Sequence, residues 1–205
     1  MSDRQHHWEK VYQSKESTEV SWYQANPDLS MRLIEKVVTS KEAAIIDVGG
    51  GASVLVDSLL QKGYTHPAVL DISESALKCT RQRLCERAEE VEWFVADVTT
   101  FAPPHRFSIW HDRAVFHFLT AKADREKYLA VLRNALEPNA HLIIATFAED
   151  GPEMCSGLPV ERYGSDKMQQ TLGGEFHLLE QQAESHTTPS GMEQRFNYFL
   201  LQYRP

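Results

Sequence analysis

The chain has 205 residues, 42% of them hydrophobic and 24% charged, with a formal net charge of −8. That length supports one sizeable core and leaves two full domains cramped, and the composition is that of a folded chain rather than a disordered or fibrous one. The negative balance argues against a general nucleic-acid binder, whose affinity for phosphates needs Lys and Arg, and no apolar run approaches the roughly eighteen residues that a membrane span requires.

In chain order, His6 to Lys15 is aromatic and amphipathic, and Trp22-Tyr23 follow a short polar break. Asn26-Pro27 reads as a helix start, Asn26 capping and Pro27 in the first turn, with Leu29, Leu33, Ile34, Val37 and Val38 on one apolar face. From residue 43 short β-branched runs alternate with helical patterns, which predicts a parallel sheet covered on both faces. Strands are expected over 44–48, 67–70, 91–95, 107–111 and 141–147. Helices are expected over 54–62, 73–87 and 122–136, the last ended before Pro138. The basic stretch Lys78 to Arg87 alternates with apolar residues at helical spacing and reads as a solvated helix face.

Residues 149 to 160 carry Gly151, Pro152, Cys155, Gly157 and Pro159 and read as a long loop. A helix over 165–172 precedes two runs, 175–185 and 192–203, separated by the turn-rich Thr187-Thr188-Pro189-Ser190-Gly191. They predict an antiparallel pair at the sheet edge. The whole is one domain, 1–205, with no internal repeat or linker.

Cys79, Cys85 and Cys155 form no C-x-x-C pair and suit reduced thiols in the cytoplasm. The nine histidines include no H-E-x-x-H, and His6-His7 diverge on a helix, so no metal site is expected. The first thirty residues lack an apolar stretch of the kind a secretory signal carries.

Chemistry concentrates at Asp47-Val48-Gly49-Gly50-Gly51-Ala52-Ser53, a strand tip running into a glycine turn. A Walker A loop needs Gly-Lys-Ser/Thr, whereas Gly51 is followed by Ala52-Ser53-Val54. A dinucleotide fingerprint places Val54 where its third Gly belongs, which disfavours NAD. A cofactor carrying an amino acid suits the turn better, since it brings a carboxylate for backbone N–H groups and an ammonium for Asp47. The competing reading is a turn carboxylate capping its own backbone. Asp71 ends the next strand, about twenty residues past Gly51 and well placed for ribose hydroxyls, and Asp97 ends the third, near an adenine edge. Each acid alone reads equally as an N-cap; the series of three at one sheet edge favours a ligand.

On these residues the sequence resembles the class I S-adenosylmethionine-dependent methyltransferases over roughly residues 20 to 150, with Ser53 where a third Gly often stands. The resemblance implies a Rossmann-like, three-layer α/β fold with a seven-stranded, mostly parallel sheet whose last strand is antiparallel. It implies S-adenosylmethionine as cofactor, with Asp47 and the Gly49, Gly50, Gly51 turn at the methionine moiety. Asp71 would hold the ribose and Asp97 the adenine, Ile72 and Val98 flanking the purine.

The segment after the fourth strand, "FSIWHDRAVFHFLT", lies where the methyl group should be. His111, Asp112 and His117 are the candidates for positioning or deprotonating an acceptor. Against this, Phe116 and Phe118 surround His117 as they would a core histidine, and Asp112 can pair with Arg113. Methyl transfer needs mainly in-line placement, so a general base is not required. Segment 1–40 is expected to form a lid, in which Trp22, Tyr12 and Tyr23 offer aromatic faces to a sulfonium; Trp8 is expected to pack on the sheet.

The acceptor is a small molecule or a protein side chain. Asp112-Arg113-Ala114-Val115-Phe116-His117 is similar to the Asp-Lys-Gly-Thr-x-Asp segment of a group of protein-lysine methyltransferases but departs at most positions, and the acidic charge would favour a lysine-bearing partner. A small acceptor fits the loop 149–160 and Cys155 about as well. A subunit that keeps the fold without turnover is the alternative of another class, and the retained acids speak for an enzyme.

Overall fold

The computed structural model describes residues 2–14 and 16–205; Met1 and Lys15, the end of the expected amphipathic segment, lie outside the described residues. Five strands form the parallel part of the sheet: β1 (Ile45–Val48), β2 (Pro67–Asp71), β3 (Glu92–Val95), β4 (Phe107–Arg113) and β5 (Leu136–Phe147). A short hairpin, β6 (Met154–Cys155) and β7 (Leu158–Pro159), interrupts the segment read as a loop, turning through Ser156 and Gly157, both with positive φ as such tight turns require. The chain closes with β8 (Phe176–Thr187) and β9 (Glu193–Tyr203). The main sheet has the order β3-β2-β1-β4-β5-β9-β8, with β9 antiparallel to both neighbours. The expected seven-stranded Rossmann-like α/β fold is the one observed.

The central strands are apolar because both of their faces are covered. Ile45, Ile109 and Ile143 pack with Leu33 and Ile34 of α2 (Asp28–Val37) and Leu55 and Leu59 of α3 (Leu55–Gln61). Val56 and Leu60 of α3 meet Leu77 of α4 (Glu74–Leu84) over Val69. On the opposite face Ile46, Trp110 and Ile144 pack with Tyr128 and Leu132 of α5 (Lys122–Ala135) and Met168 of α6 (Ser165–Leu172).

Element ends differ from the expected ones for identifiable reasons. Asn26 does not cap α2: Pro27 holds the cap position, its carbonyl accepts from Met31 N, and no side-chain cap bond forms. Helix α4 stops at Leu84 instead of Arg87, where Cys85 turns to φ +51 and a 3-10 turn runs to Glu90. Strand β4 continues two residues beyond His111, and β5 begins at Leu136 rather than His141, paired to Phe107 across a bulge that accommodates Pro138.

Because β1 lies between β2 and β4, the order reverses there, and open α/β sheets form their crevice at the carboxyl edge of such a point. Helix α1 (Asp3–Ser14) crosses that edge and is fastened at three places. Arg4 donates to Asp97 and to Asp124 of α5, at 3.0 and 2.8 Å. The Glu9 carboxylate accepts from Glu74 N at 2.6 Å and Ser75 N at 3.3 Å, capping α4 from 65 residues away. Trp8 packs edge-on against Trp22 and Phe118.

Candidate functional site

A cavity open to solvent lies beneath α1. Asp71, Ile72, Asp97 and Val98 line one end and Ala114, Val115, Phe118 and Cys155 the other. A second cavity is lined by Asp47, Gly50, Ser30 and His111, and the two share Tyr12, Trp22, Val48, Gly49 and Arg113. The three strand-tip carboxylates therefore border two adjoining cavities with a common wall.

The local geometry explains the glycine turn. Gly49 has φ +70, which a residue with a side chain adopts only under strain, and a Cβ there would overlap Val115. A Cβ on Gly51 would lie 2.5 Å from both Ala76 Cβ and Asp71 Oδ2. Gly51 does not itself line the cleft. Its N–H donates to Asp71 Oδ2 at 3.0 Å while Ser73 N donates to Oδ1 at 2.8 Å, so the turn fixes the carboxylate from behind. Burial pushes the Asp71 carboxyl up to about 6, against the pull of these two N–H groups, and the neighbouring Asp47 and Glu9 add to the rise.

Asp47 and His111 are opposite each other in the β1–β4 register. His111 Nδ1 and Asp47 Oδ1 are 2.7 Å apart, and His111 Nε2 is 2.9 Å from Ser30 Oγ. The imidazole is thus held between a carboxylate and a hydroxyl. Asp47 Oδ2 is buried and has no partner among the described residues. A Cβ on Gly50 would overlap that oxygen. An unpaired buried carboxylate oxygen calls for a donor, and Asp47 is among the residues that line the second cavity.

Asp97 accepts from Thr99 N and Oγ1 as well as from Arg4. Trp22 lines both cavities, and its indole N–H donates to Tyr12 Oη at 3.3 Å. Trp8, expected on the sheet, is part of the aromatic wall instead, because α1 lays it across the sheet edge.

Two expected catalytic residues are not brought to the cleft. Asp112 is fully buried, accepts from Val115 N, Phe116 N and Tyr128 Oη, and lines neither cavity. Burial raises its carboxyl to about 6, against these three hydrogen bonds. It holds the turn in which Ala114 adopts φ +69 against the cavity. His117 is also fully buried, between Phe118 and Phe147, and neither ring nitrogen has a partner among the described residues. Burial, seconded by the Arg113 charge, pushes its pKa down to about 3, so the ring is neutral. Asp112 does not pair with Arg113 because adjacent strand residues face opposite ways.

The sequence marks Arg113 only as that possible partner, yet it borders both cavities. Its Nε donates to Tyr198 Oη at 2.8 Å, Nη1 donates to Trp22 O at 2.9 Å, and the guanidinium lies 4.5 Å over the Phe196 ring. Cys155, from β6, lines the first cavity with it, its thiol pushed up to about 11 by burial, partly offset by Ser21 and Arg113. No group of three or more His, Cys, Asp or Glu that could hold a metal occurs among the described residues, and no helix there is long and apolar enough to cross a membrane.

Comparison with known proteins agrees with this fold. Residues 46–142 match the family model of a methyltransferase domain. The chain is 28% identical over 125 residues to EEF1A lysine methyltransferase 2 of Danio rerio, covering 57% of this chain and 53% of that protein. It spans at most about half the length of the curated relatives that it matches. Among solved structures, one described for conversion of a disulfide bond into a thioacetal group during echinomycin biosynthesis superposes with a TM-score of 0.80 at 15% identity, covering 98% of this chain and 93% of the other. The 1,6-didemethyltoxoflavin-N1-methyltransferase of Burkholderia thailandensis, with bound 1,6-didemethyltoxoflavin and S-adenosylhomocysteine, gives 0.70 at 17% identity, covering 98% and 84%. With the strand order, the glycine turn and the matched segment converging on one sheet edge, residues 46–142 are similar to a methyltransferase domain, and the chain shares the fold of solved methyltransferase structures.

Proposed function

We propose that this chain binds S-adenosylmethionine along the cleft and transfers its methyl group to an acceptor held under α1. The observation that carries this reading is that the two cavities adjoin at Gly49, with Asp97 and Asp71 lining one and Asp47 the other. Asp97 and Val98 would hold the adenine, Asp71 the ribose hydroxyls, and the unpaired Asp47 Oδ2 the ammonium. When bound, the cofactor supplies a methyl group on a cationic sulfur, ready for in-line displacement. The residues present meet its needs: carboxylates for its donors, and Tyr12, Trp22 and Trp8 for its positive charge. His111 and Ser30 position Asp47, so the relay they form serves cofactor binding rather than proton removal. Helix α1 acts as the lid, excluding water and orienting the acceptor, which suffices for much of the rate.

A protein-lysine acceptor is the second reading, favoured by the name of the zebrafish relative and by the net negative charge. The three free thiols suit the reducing cytoplasm. Calorimetric titration with S-adenosylmethionine tests the cofactor assignment: saturable binding that is weakened at least tenfold by Asp71→Ala is expected, and no binding defeats it. Binding without S-adenosylhomocysteine formation in a cell extract would favour the non-catalytic alternative.

A further inference from the structure

With the cofactor laid along Asp97, Asp71 and Gly49, where Arg4 is tied to Asp97, the wall left for an acceptor includes Trp8, Trp22, Phe118, Val115, Cys155 and Arg113. Five of these six offer rings, a methyl surface or a neutral thiol, and one is a cation. The carboxylates that line this cavity among the described residues are Asp71 and Asp97, both at the cofactor end and each already accepting two or more hydrogen bonds.

Arg113 is not fully used by the protein. Its side chain is 90% buried, with 10% relative exposure, and Nη2 has no hydrogen-bond partner among the described residues. Glu184 of β8 approaches Nη2 only to 3.7 Å. That carboxylate accepts instead from Gln24 Nε2 and Tyr198 Oη, each at 3.1 Å. Glu184 therefore offsets the charge without satisfying the N–H. The other two arms of the fork are fixed by Tyr198 and the Trp22 carbonyl, so the free arm is oriented before any ligand arrives. A buried guanidinium N–H is an expensive group to leave unpaired, and a carboxylate is its best complement.

The lysine reading has no equivalent support here. A side-chain ammonium would enter beside a fixed guanidinium, and the position at which the lysine-specific segment carries its second acid is His117, neutral and outside the cleft.

We infer that the acceptor is a small, largely apolar molecule bearing a carboxylate, its ring or chain against Trp8, Trp22 and Phe118 and its anionic end on Arg113 Nη2. This inference rests on the proposed cofactor placement, and its test keeps the two separable. The protein is first saturated with S-adenosylhomocysteine; failure at this step defeats the cofactor reading itself. The loaded wild-type protein is then titrated with benzoate and with benzylamine, which present similar rings and opposite charges. Benzoate is expected to bind at least tenfold more tightly, and Arg113→Met is expected to remove that preference. Equal binding, tighter benzylamine binding, or no binding of either probe overturns the inference, and these outcomes need no variant. A further arm separates the two carboxylates that Arg113 could serve. If Arg113→Met weakens S-adenosylhomocysteine tenfold while sparing 5′-methylthioadenosine, which lacks the amino-acid tail, the guanidinium belongs to the cofactor's own carboxylate and the inference fails.

Discussion

Replacing Gly51 by alanine should damage both the fold and cofactor binding, for a reason confined to one added carbon. The new Cβ would lie 2.5 Å from Ala76 Cβ and from Asp71 Oδ2, where carbon atoms rest at about 3.5–4.0 Å. Ala76 is buried in the first turn of α4, whose start is held by the Ser73 side chain and by Glu9, so the helix has little room to retreat. Such overpacking costs about 1–3 kcal/mol, or roughly 2–12 °C in Tm for a chain of this size. Asp71 must also give way, and with it goes the 3.0 Å bond from Gly51 N. A hydrogen bond to a charged group contributes about 1.5–3 kcal/mol, so S-adenosylhomocysteine affinity should fall by roughly 10- to 100-fold. Gly63→Ala is the control: its φ of +82 costs about 1–2 kcal/mol in stability, but its Cβ would meet nothing within 4 Å. Thermal unfolding and calorimetry on both variants decide the matter. Equal affinity in Gly51→Ala and wild type, at unchanged Tm, refutes the account of the turn as the support of Asp71.

Three other outcomes follow from the same geometry. His117→Leu should leave S-adenosylhomocysteine affinity and turnover near wild type; because the folded pKa of His117 lies at about 3, below the unfolded value, wild-type stability is lost as pH falls through about 6.5, and chemical denaturation should show the variant gaining on wild type there. A large loss of turnover would instead put His117 in the reaction. Asp112 has the opposite sign: its folded carboxyl, raised to about 6, takes up its proton before the unfolded one near 3.9, which stabilises the fold as pH drops from about 6 to 4 by on the order of 2–3 kcal/mol. Asp112→Asn should remove that contribution, and a pH–stability curve parallel to wild type would contradict it. Glu9→Ala removes the cap that joins α1 to α4 and should speed S-adenosylhomocysteine release about fivefold to tenfold in stopped-flow displacement, with hydrogen exchange rising across residues 3–14; an unchanged release rate would deny α1 a role as lid.

The sheet was legible because β-branched runs, Gly turns and helical spacing agree locally at every crossing from β1 to β5, and because the 187–191 turn separates two long runs. The cleft was legible at Asp47, Asp71 and Asp97 because strand tips are fixed by the same pattern. What failed lies after His111, where neighbouring polar residues were read as a cluster although a strand sends alternate side chains to opposite faces. That alternation, applied from His111, joins Arg113 to the cleft and sends Asp112 into the core. No comparable signal existed for His117, whose burial depends on Phe147 and on the return of the chain at Glu161, whose N–H donates to the His117 carbonyl at 2.8 Å. The placement of Trp8 depends on ties from α1 to α4 and α5 that are 65 and 120 residues distant in sequence, which no local period records.

The reversed direction of β9 sets how the molecule can be handled. Gln202 pairs with His141, at the amino end of the parallel strands, so residue 205 emerges from the side of the sheet away from the mouth under α1. A surface linker or reporter joined after Pro205 would leave the mouth clear, whereas cargo attached ahead of Asp3 would load the very helix that covers it.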